Sequence, residues 1–229
     1  GNPQLGPVIP LAKSYSARRS EAALGQFSDA WQSFLAGYDV GDMRPLCISC
    51  VDLTGHMPGH DKVKNYDAAA PLISAMAKGL ETHFGSGLSA TFVATTRDSN
   101  AWLKSLWAQN LKVHRTLQDH GEFAGTFRGI ADLAALSNRL AAHVAPHDLV
   151  QLPLEISHTH PLGTAGQLLE LLDISDNIIA TLTPQKSLKV SPSDDALAML
   201  LEVNQSELSD AELSETKQDI LRIIKAMVS

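Results

Sequence analysis

The sequence predicts a helix-rich α/β fold of three layers, in which a short, mostly parallel sheet is flanked by helices. Two observations support this fold class. Apolar residues recur at helical spacing over most of the chain, and three short hydrophobic runs lie between the helical segments. Strands separated by helices are joined by right-handed crossovers, which place the helices on the faces of a parallel sheet. A single α/β domain is expected over residues 1–229, with 194–229 as a C-terminal helical extension.

Seven helices are predicted from apolar residues that repeat every three or four positions. The first covers residues 20–37. The second, at residues 69–84, has Pro71 in its first turn, where a backbone N–H has no helical partner. The third follows Asp98 and Ser99, either of which can accept hydrogen bonds from the N–H groups of that turn. The remaining predicted helices cover residues 131–144, 165–172, 195–203 and 210–227.

Three strands are predicted from the hydrophobic runs at residues 46–50, 91–95 and 149–152. Polar residues or Gly and Pro follow each run, as expected where a buried strand ends. Three strands make a thin sheet for a chain of this length. A further strand is therefore expected either in residues 4–12, where prolines make it a poor candidate, or outside this chain.

The composition excludes several classes of function. The chain carries 18 Lys and Arg against 25 Asp and Glu, and its net charge of −7 argues against non-specific binding of nucleic acid or of an anionic membrane. No apolar run approaches the ~18–20 residues that span a bilayer, so no membrane span is expected. Two cysteines build no disulfide framework, and no signal peptide is visible, so we expect a cytoplasmic protein.

Three patterns resemble known sites and fail on spacing or order. Cys47 and Cys50 form a C-x-x-C pattern, but on a strand they point to opposite faces, so we expect two small buried residues. The histidine groups at 56–60 and 158–160 lack the spacing of a metal site, and no metal is expected. The G-x-G-x-x-A pattern at residues 85–90 ends a helix and precedes a strand, which reverses the order of a dinucleotide fingerprint.

The most informative segment is residues 91–115, where Arg97 ends a predicted strand and Ser105 lies on the following helix. Ligands of open α/β sheets bind outside the C-terminal ends of the strands, and an arginine there offers a planar fork to a phosphate. The alternative is that Arg97 pairs with a carboxylate such as Asp98 or Asp52 and that Ser105 is an ordinary helix residue.

Residues 91–115 resemble the 3′-phosphate-binding element of the P-loop sulfotransferases. In that family a strand-end arginine and a helix serine hold the 3′-phosphate of 3′-phosphoadenosine-5′-phosphosulfate (PAPS). Ser105 follows Arg97 at the same spacing, and T-R-D-S-N-A-W-L-K-S is particularly similar to bacterial sulfotransferase-like proteins. The resemblance continues more weakly over residues 45–59 and 149–172. It implies that Arg97 and Ser105 bind the 3′-phosphate of PAPS as co-substrate.

The chain departs from the family at two places. The first strand of the family and its 5′-phosphosulfate loop are not recognisable, so we expect a chain that begins after that element or has lost it. Val51 stands where related bacterial proteins carry an acidic residue next to Asp52. The resemblance therefore leaves Asp52 as the candidate general base, with His56 or His60 nearby in sequence.

The resemblance implies transfer of a sulfuryl group from PAPS to a hydroxyl or amine of a carbohydrate or small metabolite. Lys186 and Lys189, in a polar loop, are candidate contacts to phosphate oxygens, with solvated side chains as the alternative. A second hypothesis is a catalytically silent nucleotide-binding or protein-interaction module that lacks the phosphosulfate loop. Its apolar C-terminal helix face, which includes Ile220, would cover its own domain or form a homodimer.

Overall fold

The computed structural model describes residues 5–39, 41, 45–157, 159–184 and 192–228, with their side chains as far as residue 224. The chain is helix-rich and contains a small parallel sheet. Short 3₁₀ helices cover Val51–Thr54 and Arg128–Ile130. The other elements, in chain order, are α1 (Val8–Arg18), α2 (Glu21–Leu35), α3 (Ala69–Phe84), β1 (Thr91–Thr96), α4 (Ser99–Val113), α5 (His120–Phe127), α6 (Leu133–Ala141), β2 (Asp148–Pro153), α7 (Leu154–Ser157), α8 (Thr164–Leu171), α9 (Asp176–Ile179), α10 (Asp194–Gln205) and α11 (Asp210–Val228).

The chain divides into two compact units. The first unit contains residues 1–97 and 132–184, and the second contains residues 98–131 and 185–229. All seven predicted helices are present, with ends that differ from the predicted ends by a few residues. The sequence pattern missed α1 and α5, and also the one-turn helices α7 and α9.

Helices α1, α2 and α3 form the core of the first unit. Their apolar residues repeat on one side of each helix, and Phe27, Leu35 and Leu72 are completely buried. The Trp31 indole N–H donates to the carbonyl oxygen of Met76 at 3.1 Å, which satisfies the polar end of a buried aromatic side chain.

Close contact between α2 and α3 depends on Gly79. A Cβ atom at this position would lie 2.5 Å from Cδ1 of Trp31. We expect Gly79→Ala to destabilise the protein by about 1–3 kcal/mol in urea unfolding, since the buried indole must move. Gly25→Ala, in the interior of α2 with no atom within 4 Å of the new Cβ, is the control. It should stabilise the protein by about 0.5–1 kcal/mol, and equal effects of the two variants would contradict the prediction.

The N-terminal segment is helical, so no strand lies within the described residues 5–12. Pro7 occupies the N-cap of α1 and Pro10 lies in its first turn. Neither position needs a backbone N–H for the helix, so prolines that disfavour a strand are compatible with this helix start.

Strands β1 and β2 are parallel and in register from Thr91 opposite Asp148 to Thr96 opposite Pro153. Two of the three predicted strands are therefore confirmed. Phe92 and Leu149, which are partners in this register, both pack against the core of the first unit. The opposite face of β1 leaves Val93 exposed.

The third predicted strand is wrong. Residues 45–50 are irregular and belong to no described ladder, so the described sheet has two strands. Ile48 and Cys50 still pack against the core while Cys47 is exposed, which explains the strand-like alternation of this segment. The expectation that both cysteines are buried is wrong for Cys47. Alternating apolar residues indicate which side chains face a core, but a strand also needs hydrogen-bond partners for its backbone N–H and C=O groups.

The second unit consists of α4, α5, α10 and α11. Asp98 caps α4 as predicted, since its carboxylate accepts hydrogen bonds from the N–H groups of Asn100 and Ala101. The Lys217 ammonium is buried and donates to the carbonyl oxygen of His114 at 2.6 Å. Burial, and next to it the charge of Arg115, lowers the pKa of Lys217.

Candidate functional site

Arg97 directly follows β1 in the first unit, at the strand end where the sequence placed it. Its side chain is half-buried and has no ion pair or hydrogen bond with the described residues. The two carboxylates considered as partners have other contacts, because Asp52 lies against Lys13 and Asp98 caps α4. The guanidinium thus remains available for an anionic ligand.

Ser105 lies on α4, in the second unit, about two turns after the helix begins. Its side chain is half-buried. The other predicted phosphate contacts, Lys186 and Lys189, lie outside the described residues.

Asp52 lies on the 3₁₀ helix Val51–Thr54, which packs against α1. Its Oδ1 atom is 3.2 Å from the Nζ atom of Lys13, and the two side chains are 41% and 33% exposed. The Asp52 carboxylate thus already has a cationic partner within the first unit.

His56 is held on both its backbone and its ring. The backbone N–H donates to the Ser16 hydroxyl at 2.9 Å, and the ring Nε2 lies 2.8 Å from Oδ2 of Asp61. The ring also stacks on His60, with centroids 6.1 Å apart and planes 15° apart. If Nε2 carries the proton that Asp61 accepts, Nδ1 of His56 has the lone pair of a base.

Glycine geometry shapes the loop that carries these groups. Gly55 has a φ of 92°, and a Cβ atom there would lie 2.5 Å from Cβ of Ser16. The next turn is closed by hydrogen bonds of 2.8 Å from the Gly59 N–H to the Val63 carbonyl and from the Val63 N–H to the His60 carbonyl. Close approach of the loop to α1 thus places His56 beside Ser16.

Asp61 is a site residue that sequence reasoning missed. It lies in the left-handed region, with a φ of 45°, a conformation that Asp tolerates better than most residues. No spacing rule links it to His56, since the pairing depends on how the loop turns. The available signal was the run of Gly, His and Asp at residues 59–61, which is typical of a turn.

Among the described residues, the first unit contains two notable cavities. One of about 480 Å³ is lined by uncharged residues at the beginning of α1, at the end of α2 and in the segment 47–50, so it offers no cation to a phosphate. The other, of about 270 Å³, lies between the end of α1 and residues 62–68 and is rich in cations. Among the described residues, no group of three or more His, Cys, Asp or Glu side chains is placed to hold a metal ion.

No protein-family model matches the chain, and no curated protein or solved structure is significantly similar to it. The fold and the site define a helix-rich protein with a parallel strand pair and a strand-end arginine that has no described protein partner. Within the described part of the chain, no helix has the length and apolar character needed to cross a bilayer.

Proposed function

We propose that the protein is sulfotransferase-like and that Arg97 binds the 3′-phosphate of PAPS. The observation that most supports this proposal is the position of Arg97. This residue directly follows a parallel strand, and its side chain has no described anionic partner. Guanidinium groups bind phosphate through two parallel hydrogen bonds, and strand ends of parallel sheets are common ligand sites. The sequence resemblance assigns the Ser105 hydroxyl to the same phosphate.

His56 is the better candidate for the general base, with Asp61 orienting its ring. In the proposed reaction, Nδ1 of His56 takes the proton of an acceptor hydroxyl or amine while the acceptor atom bonds to sulfur. The bond between sulfur and the phosphate oxygen breaks, and adenosine 3′,5′-bisphosphate leaves. General-base assistance of this kind typically contributes ~10²–10⁴-fold to a rate. Asp52 then acts as the partner of Lys13 and not as the base.

The rest of the proposal follows the sequence expectations. It includes a three-layer α/β arrangement, a carbohydrate or small-metabolite acceptor, no nucleic-acid partner, a cytoplasmic location and a homodimer as one possible assembly. Binding of nucleotide without transfer is the second candidate. Residues 13–16, with the sequence Lys-Ser-Tyr-Ser, carry basic and hydroxyl groups in the N-terminal part. They lie within α1 and do not form a phosphosulfate loop there.

Thermal unfolding with adenosine 3′,5′-bisphosphate tests the phosphate site. A ligand that binds only the native state at a hundredfold excess over Kd raises stability by about 2.7 kcal/mol. We expect this stabilisation in the wild type and its loss in Arg97→Ala. Arg139→Ala, which removes an exposed arginine of the first unit, should respond like the wild type.

Two outcomes would contradict the proposal: no stabilisation of the wild type at millimolar ligand, or an equal loss in Arg97→Ala and Arg139→Ala. Ser105→Ala removes one neutral hydrogen-bond partner and should weaken binding by about tenfold or less. Measurement of sulfuryl transfer from PAPS then separates an enzyme from a binding protein.

A further inference from the structure

A pocket of about 270 Å³ in the first unit collects positive charge. We call it the basic pocket, because Arg19, Lys62 and Lys64 are among the residues that line it. Asp67 also belongs to the lining, which therefore contains three basic residues and one acidic residue. This excess is unusual in a chain whose net charge is −7. The remaining lining residues are Ser16, Ala17, Val63, Asn65 and Ala68.

These cations are not neutralised by the surrounding protein. Arg19, Lys62 and Lys64 form no ion pair with the described residues. The Asp67 carboxylate accepts a hydrogen bond of 2.7 Å from the Asn65 side chain, and its backbone N–H donates back to Asn65 at 3.1 Å. Three cations near a single carboxylate leave an excess of positive charge, and a bound oxyanion relieves the repulsion between them.

The backbone conformation is constrained at two of these basic residues. Arg19 ends α1 in the left-handed conformation, with a φ of 56°, and its guanidinium lies 5.1 Å from the centre of the Tyr15 ring. Lys62 is also left-handed, with a φ of 65°. Left-handed non-glycine residues cost energy and persist where the surrounding structure holds them. The basic pocket is thus built from constrained positions.

We propose that the basic pocket binds the oxyanion of a small molecule, that is, a carboxylate, sulfate or phosphate group. Its volume suits one such group with a small body attached. Ser16 lines this pocket, and its hydroxyl also accepts the backbone N–H of His56 at 2.9 Å. Ser16 therefore connects the basic pocket to the backbone of His56, the candidate base. This inference rests on the proposed function, in which the pocket is the subsite for an acidic group on the sulfuryl acceptor.

Inorganic sulfate is the probe for this site. In the full-length protein labelled with ¹⁵N, we expect sulfate to shift the amide resonances of Val63, Asn65 and Ala68 along one saturable curve. Chloride keeps the ionic strength constant, so that screening does not change during the titration. The double variant Lys62→Gln, Lys64→Gln should weaken sulfate binding by about tenfold or more, since charged hydrogen bonds are lost.

Lys78→Gln is the matched control, because it removes an exposed lysine of α3 that does not line the pocket. It should leave the sulfate curve unchanged. An unsaturable response in the wild type, or equal curves for the double variant and Lys78→Gln, would overturn the proposal. Failure of the 3′-phosphate proposal would give a different result: adenosine 3′,5′-bisphosphate would not stabilise the protein, while sulfate would still bind to the basic pocket.

Discussion

Replacing Asn204 by Leu should destabilise the second unit by about 2–4 kcal/mol. Asn204 is completely buried on α10 and connects three backbone groups. Its Oδ1 accepts from the Thr116 N–H at 2.9 Å, and its Nδ2 donates to the carbonyl oxygens of Leu111 and Leu200 at 3.0 and 2.6 Å. Leucine has a similar size, so the variant removes hydrogen bonds without opening a large cavity. Each buried group left without a partner costs about 1–3 kcal/mol.

Hydrogen exchange read by mass spectrometry locates this effect. Peptides from α4 and α10 should lose protection in Asn204→Leu, and urea unfolding of the same protein gives the free-energy change. Gln205→Leu is the control, since the neighbouring amide is exposed although it also donates to a backbone carbonyl, that of Leu117, at 2.9 Å. An Asn204→Leu protein as stable as Gln205→Leu would show that the buried amide is not needed.

Asn204 also illustrates what the sequence could not predict. The periodic leucines around Asn204 identify the helix, but nothing in the local pattern distinguishes this Asn from an ordinary polar residue on a helix surface. Its role depends on α10 packing beside the end of α4, where Thr116 and Leu111 offer unpaired backbone groups. Such partners lie about 90 residues away in the chain, and local patterns contain no information on them.

Local signals predicted the elements best where a cap or a strong period was present. Asp98 marks the beginning of α4, and β1 and β2 were predicted within one residue at each end. The failures have physical causes: residues 46–50 alternate like a strand without a described partner. Asp61 reaches His56 through a turn whose left-handed backbone no spacing rule describes.

Gly55→Ala should have the largest effect of these substitutions, about 2–6 kcal/mol. Gly55 has a φ of 92° and a ψ of −162°, a region that is essentially restricted to glycine and costs another residue about 1–3 kcal/mol. The new Cβ would also lie 2.5 Å from Cβ and 2.9 Å from Oγ of Ser16, and relief of this clash costs a further ~1–3 kcal/mol. The two costs add because one substitution causes both.

Gly85→Ala separates the two costs. Gly85 ends α3 in a similar conformation, with a φ of 88° and a ψ of 167°, but no atom lies within 4 Å of its added Cβ. Urea unfolding should therefore show the backbone cost alone in Gly85→Ala, and about 1–3 kcal/mol more in Gly55→Ala. Equal losses in the two variants would mean that the contact with α1 is not tight.

The excess loss in Gly55→Ala has a consequence for the site. Ser16 is the residue that the new Cβ meets, and its hydroxyl accepts the backbone N–H of His56. Movement of the 51–63 loop away from α1 would break this hydrogen bond and separate His56 from Ser16. Faster hydrogen exchange at the His56 amide in Gly55→Ala than in Gly85→Ala would show that this close approach holds the candidate base. Equal exchange rates would mean that the loop keeps His56 in place without it.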